Sequence, residues 1–275
     1  MKRILTLAEA LLLLAACNDR YPSHSVIVNS KDALVETTYG TLCGYIEDGI
    51  YTFKGVRYAK ADRFMPPEDP DPWEGVKTAL YYGKQCHQAP RVTWEDDCEA
   101  FLYQWDDGVQ SDDCQFLNVW TKGINDGKKR PVMVWLHGGG YAMGASSELP
   151  FYDGTNLAKK DVVLVSINHR LNFLGYFDLS DFGEKYKYSG VAGVMDMVKA
   201  LEWVHKNIAA FGGDPDNVTI FGQSGGGGKV NILLGTPSAK GLFHRGIIES
   251  GSMTRLNHDR PRRRSILRRD EDLQA

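Results

Sequence analysis

The sequence predicts an α/β fold built on a mainly parallel sheet. Residues 131–137 (PVMVWLH), 162–168 (VVLVSIN) and 217–222 (NVTIFG) are continuous apolar runs rich in β-branched residues, the pattern of strands covered on both faces. Between the second and third runs, Val194, Val198, Leu201, Val204 and Ile208 recur at spacings of three and four, which predicts a helix near 192–210. Glycine clusters at 138–140 and 225–228 fall just beyond the first and third runs, where a strand must turn.

The bulk numbers agree with one large folded unit. The chain has 275 residues, 43% hydrophobic and 24% charged, enough for a sizeable core and unlike a disordered protein. A net charge of -3 gives no broad basic surface, so nucleic-acid binding is not expected.

Taken in order, residues 1–17 read as an export segment rather than as part of the fold. A basic start, Met1-Lys2-Arg3, precedes an apolar run from Ile4 to Ala16 interrupted by Glu9, too short to span a membrane. It ends Leu14-Ala15-Ala16-Cys17, which resembles a bacterial lipobox with Cys17 as the lipidated residue; an ordinary signal peptide with an incidental cysteine is the alternative. The expected location is therefore periplasmic, or at a membrane through a lipid on Cys17. In that oxidising setting a disulfide among Cys43, Cys86, Cys98 and Cys114 is plausible, and without C-x-x-C spacing no metal site is expected.

The folded part is expected over 18–258. Short β-rich pieces fill 35–59, a proline- and charge-rich segment at 62–73 reads as irregular surface, and 86–114 lacks periodicity and reads as a long loop. Strands follow at Phe116–Thr121 and in the three apolar runs. Gly212 and Gly213 close the long helix, 225–234 reads as a second helix, and Arg245–Glu249 as a last strand. From Asp259 the composition changes: six arginines crowd residues 260–269, so 259–275 reads as a basic, disordered tail.

Two glycine motifs carry chemistry. Strand NVTIFG runs into Gln223-Ser224-Gly225-Gly226 and a helix, giving G-x-S-x-G in a strand–turn–helix context. Such a sharp turn lifts a serine oxygen above the sheet with a helix N-terminus beneath it, a nucleophile's position. The second motif is His137-Gly138-Gly139-Gly140 after the first run. Acyl transfer develops negative charge on a carbonyl oxygen, and backbone N–H groups aimed there stabilise it. Gly139 and Gly140, with the amide of Gly225, would supply three donors. A phosphate loop is the competing reading of GQSGGGGK, and it fails twice: Gln223 stands where the motif needs glycine, and Val230 follows Lys229 where it needs Ser or Thr. No cofactor is expected.

With these motifs in place the chain resembles the type-B carboxylesterase and cholinesterase family, over nearly all of residues 33–253. The stretches that carry the resemblance are TFKGVRYA, SDDCQFLNVW, PVMVWLHGGGY, VSINHRLNFLGYFDL, ALEWVHKNIAAFGGDPDNVTIFGQSGGGGKV and GLFHRGIIESGS. The GQSGGGG form is similar to the bacterial branch that includes para-nitrobenzyl esterases. The resemblance implies an α/β-hydrolase fold acting on a small-molecule ester, with Ser224 as nucleophile and Gly139, Gly140 and Gly225 in the oxyanion hole. His137, Gly138 and Gln223 would support that site. It implies a disulfide between Cys86 and Cys114, with Cys43 and Cys98 unassigned, and structural ion pairs Arg170–Asp196 and Arg63–Asp112.

The chain also departs from the family. Members are longer, and their acid and histidine follow the serine. Only His244 and His258 follow Ser224 here, and neither stands at the family's catalytic position. The expectation is a fold incomplete on its C-terminal side, with the edge of the RGIIE strand uncovered and catalysis impaired, because a serine without a general base is a weak nucleophile. A non-catalytic binding module of the same fold and an inactive fragment are the alternatives.

Overall fold

The structure is a computed structural model and describes residues 24–89 and 108–251. Cys17, Cys98, His258 and the arginine tail lie outside the described residues. Among the described residues thirteen strands form in chain order: β1 (Val26–Ile27), β2 (Leu34–Thr37), β3 (Gly40–Cys43), β4 (Tyr45–Glu47), β5 (Ile50–Arg57), β6 (Val76–Thr78), β7 (Gln85–Cys86), β8 (Gln110–Ser111), β9 (Phe116–Thr121), β10 (Arg130–Leu136), β11 (Val163–Ile167), β12 (Gly213–Gln223) and β13 (Arg245–Glu249). The α-helices among the described residues are α1 (Thr155–Ala158), α2 (Asn172–Tyr176), α3 (Ala192–Asn207) and α4 (Gly225–Leu234).

Eight strands make the main sheet, in the order β1-β4-β5-β9-β11-β10-β12-β13. Its two halves differ. From β1 to β11 neighbours run antiparallel, whereas β11, β10, β12 and β13 are mutually parallel. The parallel half comes from the runs that connect through helices, because a parallel neighbour needs a crossover. The structure therefore has the α/β architecture read from the sequence, as a mixed sheet whose parallel half holds the motifs.

Strand β11 is buried along its whole length, as a continuous apolar run predicts. Strand β10 behaves differently: Val132, Val134 and Leu136 are buried, whereas Met133 and Trp135 are only half-covered. The buried set faces α3, whose Met197, Leu201 and Val204 join Val119, Val165 and Ile220 in the core. The predicted helix over 192–210 ends at Asn207, and a 3-10 turn, Ile208–Phe211, completes it. Gly212 then takes φ +71, a left-handed conformation that a glycine adopts without strain. Strand β12 begins at Gly213, four residues before the apolar run that announced it. Strand β13 closes the order of described strands and is mostly exposed.

The long stretch 86–114 is tied at its base. Cys86 and Cys114 form a disulfide, and β7 pairs with β8 in parallel beside it. Cys43 is a buried free thiol that donates to the Asn29 carbonyl at 3.2 Å. Arg170 and Asp196, both buried, are joined twice, at 2.9 and 2.7 Å, and Arg170 also donates to the carbonyls of Asp62 and Met65. That guanidinium fastens the irregular 62–73 segment to the core. Arg63 and Asp112 pair at 2.8 Å on the surface.

Candidate active site

Ser224 sits where β12 turns into α4, and its backbone takes φ +55 and ψ −120. That region costs a non-glycine residue about 1–3 kcal/mol, and such strain concentrates at functional positions. Two bonds hold it: the Ser224 N–H donates to the Glu249 carbonyl at 2.8 Å, and Gly228 N–H donates to the Ser224 carbonyl at 3.1 Å. Strand β13 therefore fixes the elbow from the side and the first turn of α4 from below.

The glycines of G-x-S-x-G are explained by what surrounds them. A Cβ on Gly222 would lie 2.5 Å from the Leu136 carbonyl oxygen and 2.6 Å from the carbonyl carbon of Gly226. One on Gly226 would fall well inside 3.0 Å of the same Leu136 oxygen, and 3.1 Å from that of His137. Strand β12, helix α4 and the end of β10 thus meet backbone to backbone. No side chain fits between them.

The loop 138–140 lies over this crossing. A Cβ on Gly225 would press on the Gly140 nitrogen, and one on Gly138 would lie 3.9 Å from Ser224 Cβ. Gly139 and Gly140 take φ +83 and +59, and both are exposed, like Ser224 and Gln223, whereas Gly138 and Gly225 are buried. The direction of each amide follows from peptide geometry: a trans, planar unit points its N–H opposite to the preceding carbonyl. The Gly139 carbonyl accepts from Ala142 and Met143 N–H groups, at 3.0 and 3.1 Å, which frees the Gly140 amide on the other side. The Ser224 carbonyl is taken by Gly228, which does the same for Gly225. His137 is fully buried, its Nδ1 lies 3.0 Å from the Gly138 carbonyl, and its ring stacks on His169 with centroids 5.0 Å apart. Burial, with the nearby Lys229 charge, holds His169 well below its ordinary pKa.

The disulfide joins this loop through a residue that motif reading passed over. Gln88 accepts from Gly144 N–H at 2.8 Å and donates to Gly144 O at 3.1 Å and Cys86 O at 3.3 Å. A buried network backs the same region: Asn118 donates to Ser146 and Ser166, and Asn168 accepts from Ser146 N–H. These polar residues are far apart in the chain, so no local signal marks them. Lys229, buried beneath the glycine loop, entered the sequence reading only through the failed phosphate motif.

An open cavity of about 830 Å³ adjoins Ser224. Among the described residues Trp135, Leu149, Phe151, Tyr152 and Phe221 line it, with carboxylates at Glu148, Asp153 and Glu249 and no histidine. His244 accepts from Val218 N–H, six residues upstream of Ser224 on β12, which separates it from the elbow by roughly 20 Å of strand. Among the described residues no cluster of His, Cys, Asp or Glu could hold a metal ion.

Residues 31–266 match the Carboxylesterase family. The chain belongs to the carboxylesterase family. It is 44% identical over 224 residues to a para-nitrobenzyl esterase of Bacillus subtilis (strain 168), covering 80% of this chain and 44% of that protein. It is 41% identical over 249 residues to carboxylesterase 1D of Mus musculus, covering 87% of this chain and 42% of the other. Among solved structures, an esterase from Clostridium hathewayi described as hydrolysing aliphatic aromatic polyesters superposes with a TM-score of 0.78 at 49% identity, over 82% of this chain and 44% of that one. The EST55 carboxylesterase of Geobacillus stearothermophilus superposes at 0.70 with 45% identity, over 78% and 43%. This member of the carboxylesterase family thus spans less than half the length of these relatives.

Proposed function

We propose that this chain carries the nucleophile and oxyanion half of a carboxylic ester hydrolase. One observation carries the reading: a strained, exposed serine at a strand–helix elbow, faced by a triple-glycine loop whose backbone touches the helix start. Ser224 Oγ would add to the ester carbonyl carbon, its proton passing to a base. The carbonyl π pair would move to oxygen, met by the N–H groups of Gly139, Gly140 and Gly225. Collapse would expel the alcohol and leave an acyl-serine, which water would cleave to the acid and free Ser224.

The base is the weak point. Among the described residues no histidine lines the cavity, and His244 is bonded to Val218, six residues back along β12. Amides alone leave a residual acceleration of roughly a thousand- to ten-thousandfold over water. Turnover by this chain is therefore impaired. With the export segment expected over 1–17, hydrolysis would take place outside the cytoplasm.

Prolonged incubation with a fluorophosphonate, followed by peptide mass spectrometry, tests the reading. Slow labelling at Ser224, absent in Ser224→Ala, is expected. Labelling that ignores the substitution would end it. Turnover of p-nitrophenyl acetate should stay near that of Ser224→Ala; robust turnover lost in the variant would reveal a base and overturn the impairment.

A further inference from the structure

We propose that Lys229 is a positioning residue of the oxyanion loop, its amine holding the carbonyls of His137 and Gly138 from below and so turning the amides of Gly138 and Gly139 toward Ser224. This rests on the esterase reading of the site. Lys229 Nζ donates to the His137 carbonyl at 2.7 Å and to that of Gly138 at 3.3 Å. The side chain is fully buried. It rises from the second turn of α4, the helix that begins at Gly225, so one element presents both the nucleophile and the brace for its oxyanion donors.

The peptide argument completes the assignment. Within each planar unit the N–H opposes the C=O, so fixing the oxygens of residues 137 and 138 fixes the amides of 138 and 139. The Gly140 and Gly225 amides are aimed by backbone bonds, whereas Gly138 and Gly139 depend on side chains, those of His137 and Lys229. A loop of three successive glycines has the greatest backbone freedom of any sequence, and an unbraced one would spread over many conformations. A buried lysine has a large desolvation cost, so its retention needs partners such as these. Burial lowers its pKa to about 7, opposed by the charge of Glu148, yet the brace survives deprotonation: a neutral amine keeps two N–H donors for two carbonyls.

The test compares Lys229→Met with Leu233→Ala, a second buried change in α4 that touches neither carbonyl. Met keeps the length and apolar stem without a donor, and it is expected to fold because it removes a buried amine rather than stranding one. In chains carrying ¹⁵N-glycine, the Lys229→Met amides of Gly138 and Gly139 should exchange with solvent on the order of tenfold faster than in the parent. Fluorophosphonate labelling of Ser224 should slow by about a hundredfold, the loss typical of one oxyanion donor. Leu233→Ala should show neither change at equal or lower stability. Gly138 and Gly139 exchange unchanged in Lys229→Met, or equally raised in Leu233→Ala, overturns the proposal. Should the Met variant not fold, the same readouts on Lys229→Gln decide, since its shorter amide cannot span both carbonyls. If the parent is never labelled while the glycine amides respond to Lys229→Met, the esterase reading fails and the brace stands.

Discussion

Adding one methyl group at Gly226 should separate helix α4 from strand β10. The new Cβ would fall well inside 3.0 Å of the Leu136 carbonyl oxygen, with the His137 oxygen at 3.1 Å on its flank. Both obstacles are backbone, the first on a central strand hydrogen-bonded on each side and the second in the residue that follows it, so neither can swing away. Overpacking of this kind costs about 1–3 kcal/mol and sits here at the upper end, because helix and strand must move apart as units. Alanine recovers at most about 1 kcal/mol from its better helix propensity. The net expectation for Gly226→Ala is a destabilisation of about 2 kcal/mol. Gly228→Ala is the control within the same helix: its Cβ would meet only the Tyr141 hydroxyl at 2.6 Å, the end of a side chain that can rotate, with the next atoms at 3.5 and 3.8 Å. That change should be neutral, or stabilising by up to about 1 kcal/mol. Urea titrations followed by circular dichroism measure both: the Gly226→Ala midpoint should fall, while that of Gly228→Ala should stay or rise. Because Leu136 leads into His137 and Gly138, Gly226→Ala should also slow labelling of Ser224. Equal midpoints for the two variants would show that strand and helix do not meet backbone to backbone at the elbow.

Three further outcomes follow from the described contacts. Replacing Cys86 and Cys114 by serine opens a loop with a sequence separation of 28 and should destabilise the fold by about 3.6 kcal/mol, with a wild-type urea midpoint refuting the bridge's role. Asp196→Asn strands the buried Arg170 guanidinium and should cost about 3–5 kcal/mol, whereas Arg63→Ala at the exposed Asp112 pair should cost less than about 1 kcal/mol; equal losses would contradict the burial argument. His169 is held neutral by burial, so below its ordinary pKa of 6.5 the unfolded chain binds a proton that the native chain refuses. Stability should therefore fall from pH 7 toward pH 5, by at most about 1.4 kcal/mol per pH unit from this group, and His169→Gln should flatten that slope; an unchanged slope refutes the assignment.

The parts of this molecule legible in the sequence are those encoded by contiguous residues. Strand β11, helix α4 and strand β13 lie where apolar runs and glycine punctuation place them, because burial on both faces or on one stripe leaves a local record. Strand β12 starts earlier than its apolar run, since Gly213 pairs with Arg130 ahead of a register shift that composition does not reveal. The covering of β10 was legible only in part: Trp135 and Met133 read as core and are half-buried, because coverage of that face depends on what packs there. The elbow was legible because its geometry demands glycine at fixed offsets. Gln88, Asn118 and Lys229 were not, since each is defined by partners dozens of residues away.

Topology also decides which loops meet at the elbow. Parallel strands share one carboxyl edge, so the loop after β10, the elbow after β12 and the end of β13 arrive side by side: Leu136 is in register with Gly222, and Gln223 with Glu249. That alignment alone puts Gly138–Gly140, Ser224 and the Glu249 carbonyl together, whatever the side chains. The same alignment sends His244, which precedes β13, to the amino edge. In the esterase reading proposed above, a base for Ser224 would enter from a loop at the carboxyl edge. The elbow serine and the glycine loop thus meet through strand alignment alone, before any side chain is considered.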